Sequence, residues 1–324
     1  MASLAVSTAS PGWRGLPFAL ALIAVAAVIF AAFRWLDSSY AFFMGYVVLQ
    51  YIVLGTAWNI LGGYTGYVNF GVTAFFAIGA YSTVVLHKLV PALPLPLMML
   101  VGGVLAGLVG VGTGYLTLRL RGVFFSIATL ALAVVVQTLI TNWDFVGGAR
   151  GAYVLRPKVA PLIGGEYVQY LFLIMLGMSV IVLVTARAIE RSALGYGFAA
   201  IRDDEAAAEA AGVPTLRLKL IATGLSGGFM GMAGGPLPYY VTYLDPASGF
   251  SLNYAVNAIA MPLIGGMGSW LGPVIGAVLV GGIQEYLRVT ISSAVNVLVA
   301  GVLMVAFVIL APQGIVGLFQ RKKR

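Results

Sequence analysis

The run Arg202 to Gly212, RDDEAAAEAAG, sets carboxylates, small apolar side chains and a terminal glycine in the order of a short recognition helix. Its chemistry is recognition by shape and charge, not bond-making. Asp203 and Asp204 stand where a helix would begin. There they can accept from free N–H groups and complement the positive end of the helix dipole. The alanines are strong helix formers. Gly212 suits the position just past the helix, and Pro214 cannot continue it. Ala206 and Ala210, like Ala207 and Ala211, are four residues apart and make a slim, smooth ridge; Glu205 and Glu209 make an acidic ridge beside it. Such a surface fits a cleft on another protein. It equally fits a solvated helix that joins two membrane spans.

A second set of residues could handle a polar solute. Asn69 and Thr73 are four residues apart within an apolar segment, so a continuous helix would put them on one face. The lead-in GGYTGYVNFG, which contains Tyr64 and Gly66, is rich enough in glycine for a broken helix. Polar groups at that depth either bond a neighbouring helix or line a path. Thr129 and Asn257 pose the same choice in later apolar segments. The single histidine, His87, sits beside Lys88 at a segment end, where it reads as an interfacial anchor. The chain has no cysteine, which removes disulfides, thiolate metal sites and cysteine catalysis. No acid, base and metal-ligand groups converge at depth as an enzyme site would need.

These residues are carried by a chain that is 61% hydrophobic and 9% charged over 324 residues, with a mean hydropathy of +1.01. Soluble domains carry about 25% charged residues. The economical reading is an all-α polytopic membrane protein, since spanning helices satisfy their own backbone in lipid. About ten transmembrane helices are predicted, near 16–34, 41–61, 67–86, 95–117, 123–142, 167–186, 218–240, 254–267, 270–287 and 294–311. The first run lacks a small-residue cleavage pattern and reads as a retained span. The 42 glycines suit closely packed helices. With both termini cytoplasmic, 12 of the 18 Lys and Arg side chains fall inside and 6 outside, which obeys the positive-inside rule. That division gives a cytoplasmic N-terminal segment 1–15, a membrane domain 16–312 and a basic cytoplasmic tail 313–324. The polar segment 187–219, which contains the recognition helix, is cytoplasmic as well. The net charge of +8 therefore speaks for orientation in a lipid bilayer and not for nucleic acid.

The wider string LGYGFAAIRDDEAAAEAAGVPTLRLKLIATGLSGGFMGMAGG (Leu194–Gly235) resembles the ABC-importer permease family for branched-chain amino acids and related solutes, in particular its LivM-type subunit. GYTGYVNFGVTAFFAIGAYS (Gly63–Ser82), LRLRGVFFSIATLAL (Leu118–Leu132), IGGMGSWLGPVIGA (Ile264–Ala277) and APQGIVGLF (Ala311–Phe319) resemble it in the same order. The resemblance implies a type II ABC importer fold in a bacterial inner membrane. It also implies a second, LivH-type permease subunit, two cytoplasmic ABC ATPases and a periplasmic solute-binding protein. Arg202, Asp203, Asp204, Glu205, Ala206, Ala207, Glu209, Ala210, Ala211 and Gly212 would then couple to the ATPase. The chain holds no phosphate-loop motif, so ATP would be bound by the partners, with no cofactor in this chain. Val72, the VGGARG string with Val146 and Arg150, and Tyr196 depart from the family pattern. Urea, short amides and carboxylates therefore stand beside branched-chain amino acids as expected solutes. Arg150, Arg156 and Lys158 would suit an anionic solute, or solvation and binding-protein docking. An ion-coupled secondary carrier acting without an ATPase is the rival reading; no acidic residue near the middle of a predicted span favours it.

Overall fold

The computed structural model describes residues 16–117, 123–157, 165–290, 301–302, 305 and 314–321 of the chain. Its axis is α2, Ser39–Thr65, a 27-residue helix buried on nearly every side. A helix with no polar face belongs at the centre of a bundle. Ser38 caps its start by accepting from Ala41 N, and Gly66 ends it in the left-handed region at φ 79°. Against it pack α6 (Tyr167–Glu190), α9 (Thr215–Gly234) and α12 (Leu252–Gly265), while α3 (Val72–Leu89) and α4 (Leu95–Thr117) pack on α9 and α5 (Val123–Thr141) packs on α3. Helix α1, Leu16–Leu36, lies outside this group and buries none of its residues fully. It is held by Phe30 and Phe33 against Phe42 and Phe172, with Phe33 stacked 4.8 Å from Phe172.

Glycine brings α3, α4 and α9 (Thr215–Gly234) into backbone contact. A Cβ on Gly79 would collide with the carbonyl of Gly231, and one on Gly103 would stand 3.0 Å from Gly228 O. One on Gly110 would stand 3.0 Å from Thr223 O. Helices in lipid gain their association from such close approach, because apolar side chains lose nothing by facing acyl chains.

The helices alternate between two ends. At one end Arg34 donates to Gln169 at 3.0 Å, Ser39 to Glu166 at 2.6 Å, and Lys88 to the carbonyl of Phe145 at 2.7 Å. There also β1 (Ala152–Tyr153) pairs antiparallel with β2 (Tyr243–Leu244), Ala152 opposite Leu244. The other end carries α7 (Ala193–Asp203) and α8 (Glu205–Ala210). Phe18, at the start of α1, meets Arg187 there at 3.8 Å and Trp270 at 4.9 Å. The last described helix, Gly314–Arg321, backs onto Gly266 at the same end.

The second half is more broken. After α9 come the single turns α10 (Leu237–Val241) and α11 (Pro246–Gly249), then α12 (Leu252–Gly265) with Pro262 inside it. Residues 266–271 are non-helical. Helix α13 (Gly272–Gly276) then runs through a π-helical turn, Ala277–Gly281, into α14 (Gly282–Thr290). Pro262 and Pro273 both face Gly55 of α2, where a Cβ would meet them at 3.3 and 3.5 Å.

The all-helical membrane architecture is as the composition implies, with α4 matching its expected span and α6 beginning at Tyr167. Among the described residues six helices, α1 to α6, are long and apolar enough to cross a bilayer. Several expected boundaries are corrected. The third span was expected from residue 67, but Gly66 turns the chain left-handed and helix resumes only at Val72. The seventh was expected over 218–240. It begins at Thr215, just after Pro214, and stops at Gly234, before the prolines 236 and 238. The eighth has 14 residues, and the ninth is divided by the π turn. Of the expected tenth span, only residues 301–302 and 305 are described, and segment 1–15 lies outside the described residues.

Candidate functional site

The recognition helix is shorter and begins one residue later than its sequence implies. Asp203 ends α7 instead of starting a helix, because α7 runs from Ala193 with Phe198 and Ile201 buried beneath it. Asp204, at φ −160°, is the cap, and its Oδ1 accepts from Ala206 N at 2.9 Å and Ala207 N at 3.0 Å. One aspartate thus satisfies two of the free N–H groups at the helix start. Gly212, at φ 84°, follows the helix, and Val213 N closes back on Ala208 O at 3.0 Å. A left-handed glycine with this back-bond is a common helix stop. Ala208 is buried, while Ala206, Ala207, Ala210 and Ala211 are exposed. The ridge of four small side chains therefore faces outward, as their spacing implies.

The acidic ridge does not. Glu205 turns inward, its Oε1 accepting from Lys219 Nζ at 2.6 Å and its Oε2 from the hydroxyl of Tyr67. Glu209 stays exposed but accepts from Thr215 Oγ1 at 2.6 Å. The two glutamates thus tie α8 to α9 at its start and its end. Arg202 pairs with Asp203 at 3.3 Å, in the open, where such pairs contribute little. Its stem fills a different role. A Cβ on Gly66 would stand 3.2 Å from Arg202 Cγ, and one on Gly268 3.1 Å from its Nη1. Arg202 therefore lies against both non-helical turns, the one between α2 and α3 and the one between α12 and α13.

Asn69 and Thr73 do not share a helix face, which corrects the expectation from their spacing. Asn69 lies in the non-helical stretch, and its Oδ1 accepts from Gly71 N at 2.7 Å. Its carbonyl accepts from Trp58 Nε1 at 2.8 Å. Thr129 Oγ1 accepts from Phe70 N at 3.1 Å, so α5 holds the same stretch from the other side. Thr73 opens α3. Across from it, the rings of Phe76 and Tyr254 meet at a tilt of 36°, with centres 4.3 Å apart. Thr73 precedes Phe76 by three residues, and Asn257 follows Tyr254 by three. In antiparallel helices this places both one turn from the ring pair, toward the α7–α8 end. Asn69, Thr73, Thr129 and Asn257 are all buried, and Asn69 Nδ2 and Asn257 Oδ1 find no partner among the described residues. Tyr64 stands apart, its hydroxyl 3.4 Å from Ala186 O of α6, and Gly66 serves the turn against Arg202.

Two features went unread in the sequence. Asn59 of α2 donates to Ser269 O at 3.0 Å and accepts from Gly268 N at 3.2 Å, so it holds the second turn as Trp58 holds the first. Lys219 belongs to the polar segment 187–219, yet it is 3% exposed. A lysine inside a helix flanked by apolar spans needs a counter-charge, and that rule points to Glu205. At the opposite end a cavity of about 300 Å³ is lined by Phe43, Arg156, Pro157, Glu166, Tyr167 and Val168. It offers both signs of charge above apolar walls. His87 Nδ1 lies 2.9 Å from the hydroxyl of Tyr239, in keeping with an anchoring role; Lys158 lies outside the described residues.

Residues 40–308 match the family described as branched-chain amino acid transport system / permease component. The chain is 29% identical over 293 residues to the high-affinity branched-chain amino acid transport system permease protein LivM of Escherichia coli (strain K12), a match covering 83% of this chain and 68% of the relative. It is 30% identical over 302 residues to the LivM protein of Salmonella typhimurium, with the same shares covered. A probable branched-chain amino acid transport permease protein, LivH of Methanocaldococcus jannaschii, is 25% identical over 275 residues, covering 78% of this chain and 84% of that one. No solved structure matches.

Proposed function

From the premise that this chain belongs to the branched-chain amino acid transport system permease family, we propose that it is the membrane subunit of an ATP-driven importer, coupled to separate ATPases through α8. The observation that carries this is the outward ridge Ala206, Ala207, Ala210 and Ala211, displayed on a helix fixed at both ends. Small side chains on a rigid, capped helix let another protein's cleft close on the backbone. Two cytoplasmic ATPases, a LivH-type second permease and a periplasmic binding protein complete the proposed assembly, in a bacterial inner membrane. ATP is bound by the partners. The solute is a branched-chain amino acid or a similar small polar molecule, with urea, short amides and carboxylates as alternatives. The four buried polar residues Asn69, Thr73, Thr129 and Asn257 are its proposed contacts. In this reading α9, α12, α13–α14 and the stretch near 294–311 complete ten crossings, with both termini and α7–α8 cytoplasmic. ATP-driven closure of the ATPases shifts the permease pair between inward- and outward-open states, and no covalent chemistry occurs in this chain.

One observation serves the rival carrier reading: Glu285 is buried, at 6% exposure, in a helix of the membrane domain. Copurification separates the two. The chain, isolated in mild detergent from its native host, is expected to bring down a phosphate-loop ATPase, and Ala207→Trp is expected to lose it, because packed surfaces tolerate added bulk poorly. An unchanged association in Ala207→Trp would remove α8 from the contact. No ATPase with the wild type would leave the carrier.

A further inference from the structure

We propose that Lys219, Glu205 and Tyr67 form a buried latch through which α8 sets the position of the turn 66–71, making Lys219 and Tyr67 positioning residues for coupled transport. The inference rests on the permease reading above.

Lys219 Nζ lies 2.6 Å from Glu205 Oε1, 3.3 Å from the Tyr67 hydroxyl and 5.0 Å from the centre of its ring. The Tyr67 hydroxyl donates to the second oxygen of Glu205. The Lys219 and Glu205 side chains are only 4% and 13% exposed. Three elements thus meet at one charged point: α8, the first turns of α9 and, 138 residues before Glu205, the stretch that leads to Asn69. Phe125 of α5 closes the far side, its ring edge-on to Tyr67 at 5.2 Å.

Stability alone does not call for this arrangement, because apolar side chains of similar volume hold a core as well as a buried ion pair does. What the pair supplies is direction. Helix α8 has six residues, too few to hold itself as a helix, so its tethers fix where it lies. A push on the exposed alanine ridge is received by Glu205 and passed to Tyr67, two residues before Asn69. Arg202, wedged between Gly66 and Gly268, carries the same displacement toward the second turn. Both interruptions of the helical bundle are therefore joined to the consecutive cytoplasm-facing helices α7 and α8. An ATPase that prefers one position of α8 then biases the turn by its difference in affinity for the two states.

The test uses the assembled complex in membrane vesicles. The chain has no cysteine, so Val68→Cys, in the turn and 38% exposed, reports the turn through its rate of maleimide labelling. In the Val68→Cys background, trapping the ATPase with ATP and vanadate is expected to change that rate. Adding Tyr67→Phe, or Lys219→Met, is expected to abolish the change while the ATPase still copurifies. Tyr67→Phe keeps the ring and removes only the hydroxyl, so it decides the matter if Lys219→Met fails to fold. An undiminished change in Tyr67→Phe overturns the latch, as does loss of ATPase binding in that variant, which would make Tyr67 a mere support for α8. A labelling rate indifferent to trapping with the latch intact overturns it too, while leaving the permease reading in place. Absence of any ATPase from the complex removes the permease reading and the latch together.

Discussion

Asn69 does two things at once. Its Oδ1 accepts from Gly71 N, which has no helical partner at the head of α3, while its Nδ2 has no partner among the described residues. A buried amide hydrogen-bonded on one side only is costly in a purely structural role, since an unmet buried donor costs about 1–3 kcal/mol. A passing polar solute would meet that need. Asn69→Leu is therefore expected to slow solute uptake in vesicles while ATPase copurification persists. Uptake at the wild-type rate would return Asn69 to helix packing alone. Spacing drew attention to Asn69 and Thr73, but for the wrong reason: a left-handed glycine at 66 displaced the start of the helix past Asn69. Glu205 is a similar case. Its place on a helix surface was legible; its direction depended on a lysine fourteen residues later, which no local pattern encodes.

Among the elements, α4 and α9 depend on bare backbone. Gly231 of α9 has Ala106 and Gly102 pressed against it, whereas Gly112 of α4 has nothing within 4 Å. Gly231→Val is expected to lower the thermal stability of the purified protein, by about 1–3 kcal/mol or more, because neither backbone can give way. Gly112→Ala is expected to leave it unchanged or raise it slightly, alanine being favoured over glycine in a helix by about 1 kcal/mol. Equal melting temperatures for the two variants would contradict this packing. Long uniform spans such as α4 are legible because length and hydropathy are properties of the segment itself. The breaks are less so. Pro262 within α12 and the GGMG run after it are at least residues that a sequence displays as breakers. The π turn at Ala277–Gly281 has no such mark, since its residues are ordinary apolar helix formers and glycine.

At the scale of the whole molecule, the ends are chemically distinct. Tyr196 on α7 is 74% exposed at one end, and Ala149 is exposed at the other, near β1. In the proposed topology, which follows the asymmetry of Lys and Arg, the α7 end is the cytoplasmic one. In intact cells an impermeant thiol reagent is expected to label Ala149→Cys and to spare Tyr196→Cys until the membrane is opened. The opposite pattern would invert the topology and with it the proposed docking side.

The hold of Asn59 on Ser269 and Gly268 has a bearing on how this protein is made. The bond to Ser269 joins residues 210 positions apart in the chain. At about 5–20 residues per second, a ribosome needs on the order of 10–40 s to pass from one to the other. The carbonyl that Gln50 contacts, at Ala233, is likewise 183 residues away. Trp58 alone among these finds its partner early, at Asn69, only 11 residues on. The central helix thus enters the bilayer with the partners of Asn59 still unmade and with Gln50 bonded only to Tyr46 of its own helix, at 3.2 Å. During synthesis it is the least finished part of the molecule, and it waits on the second half to become its core.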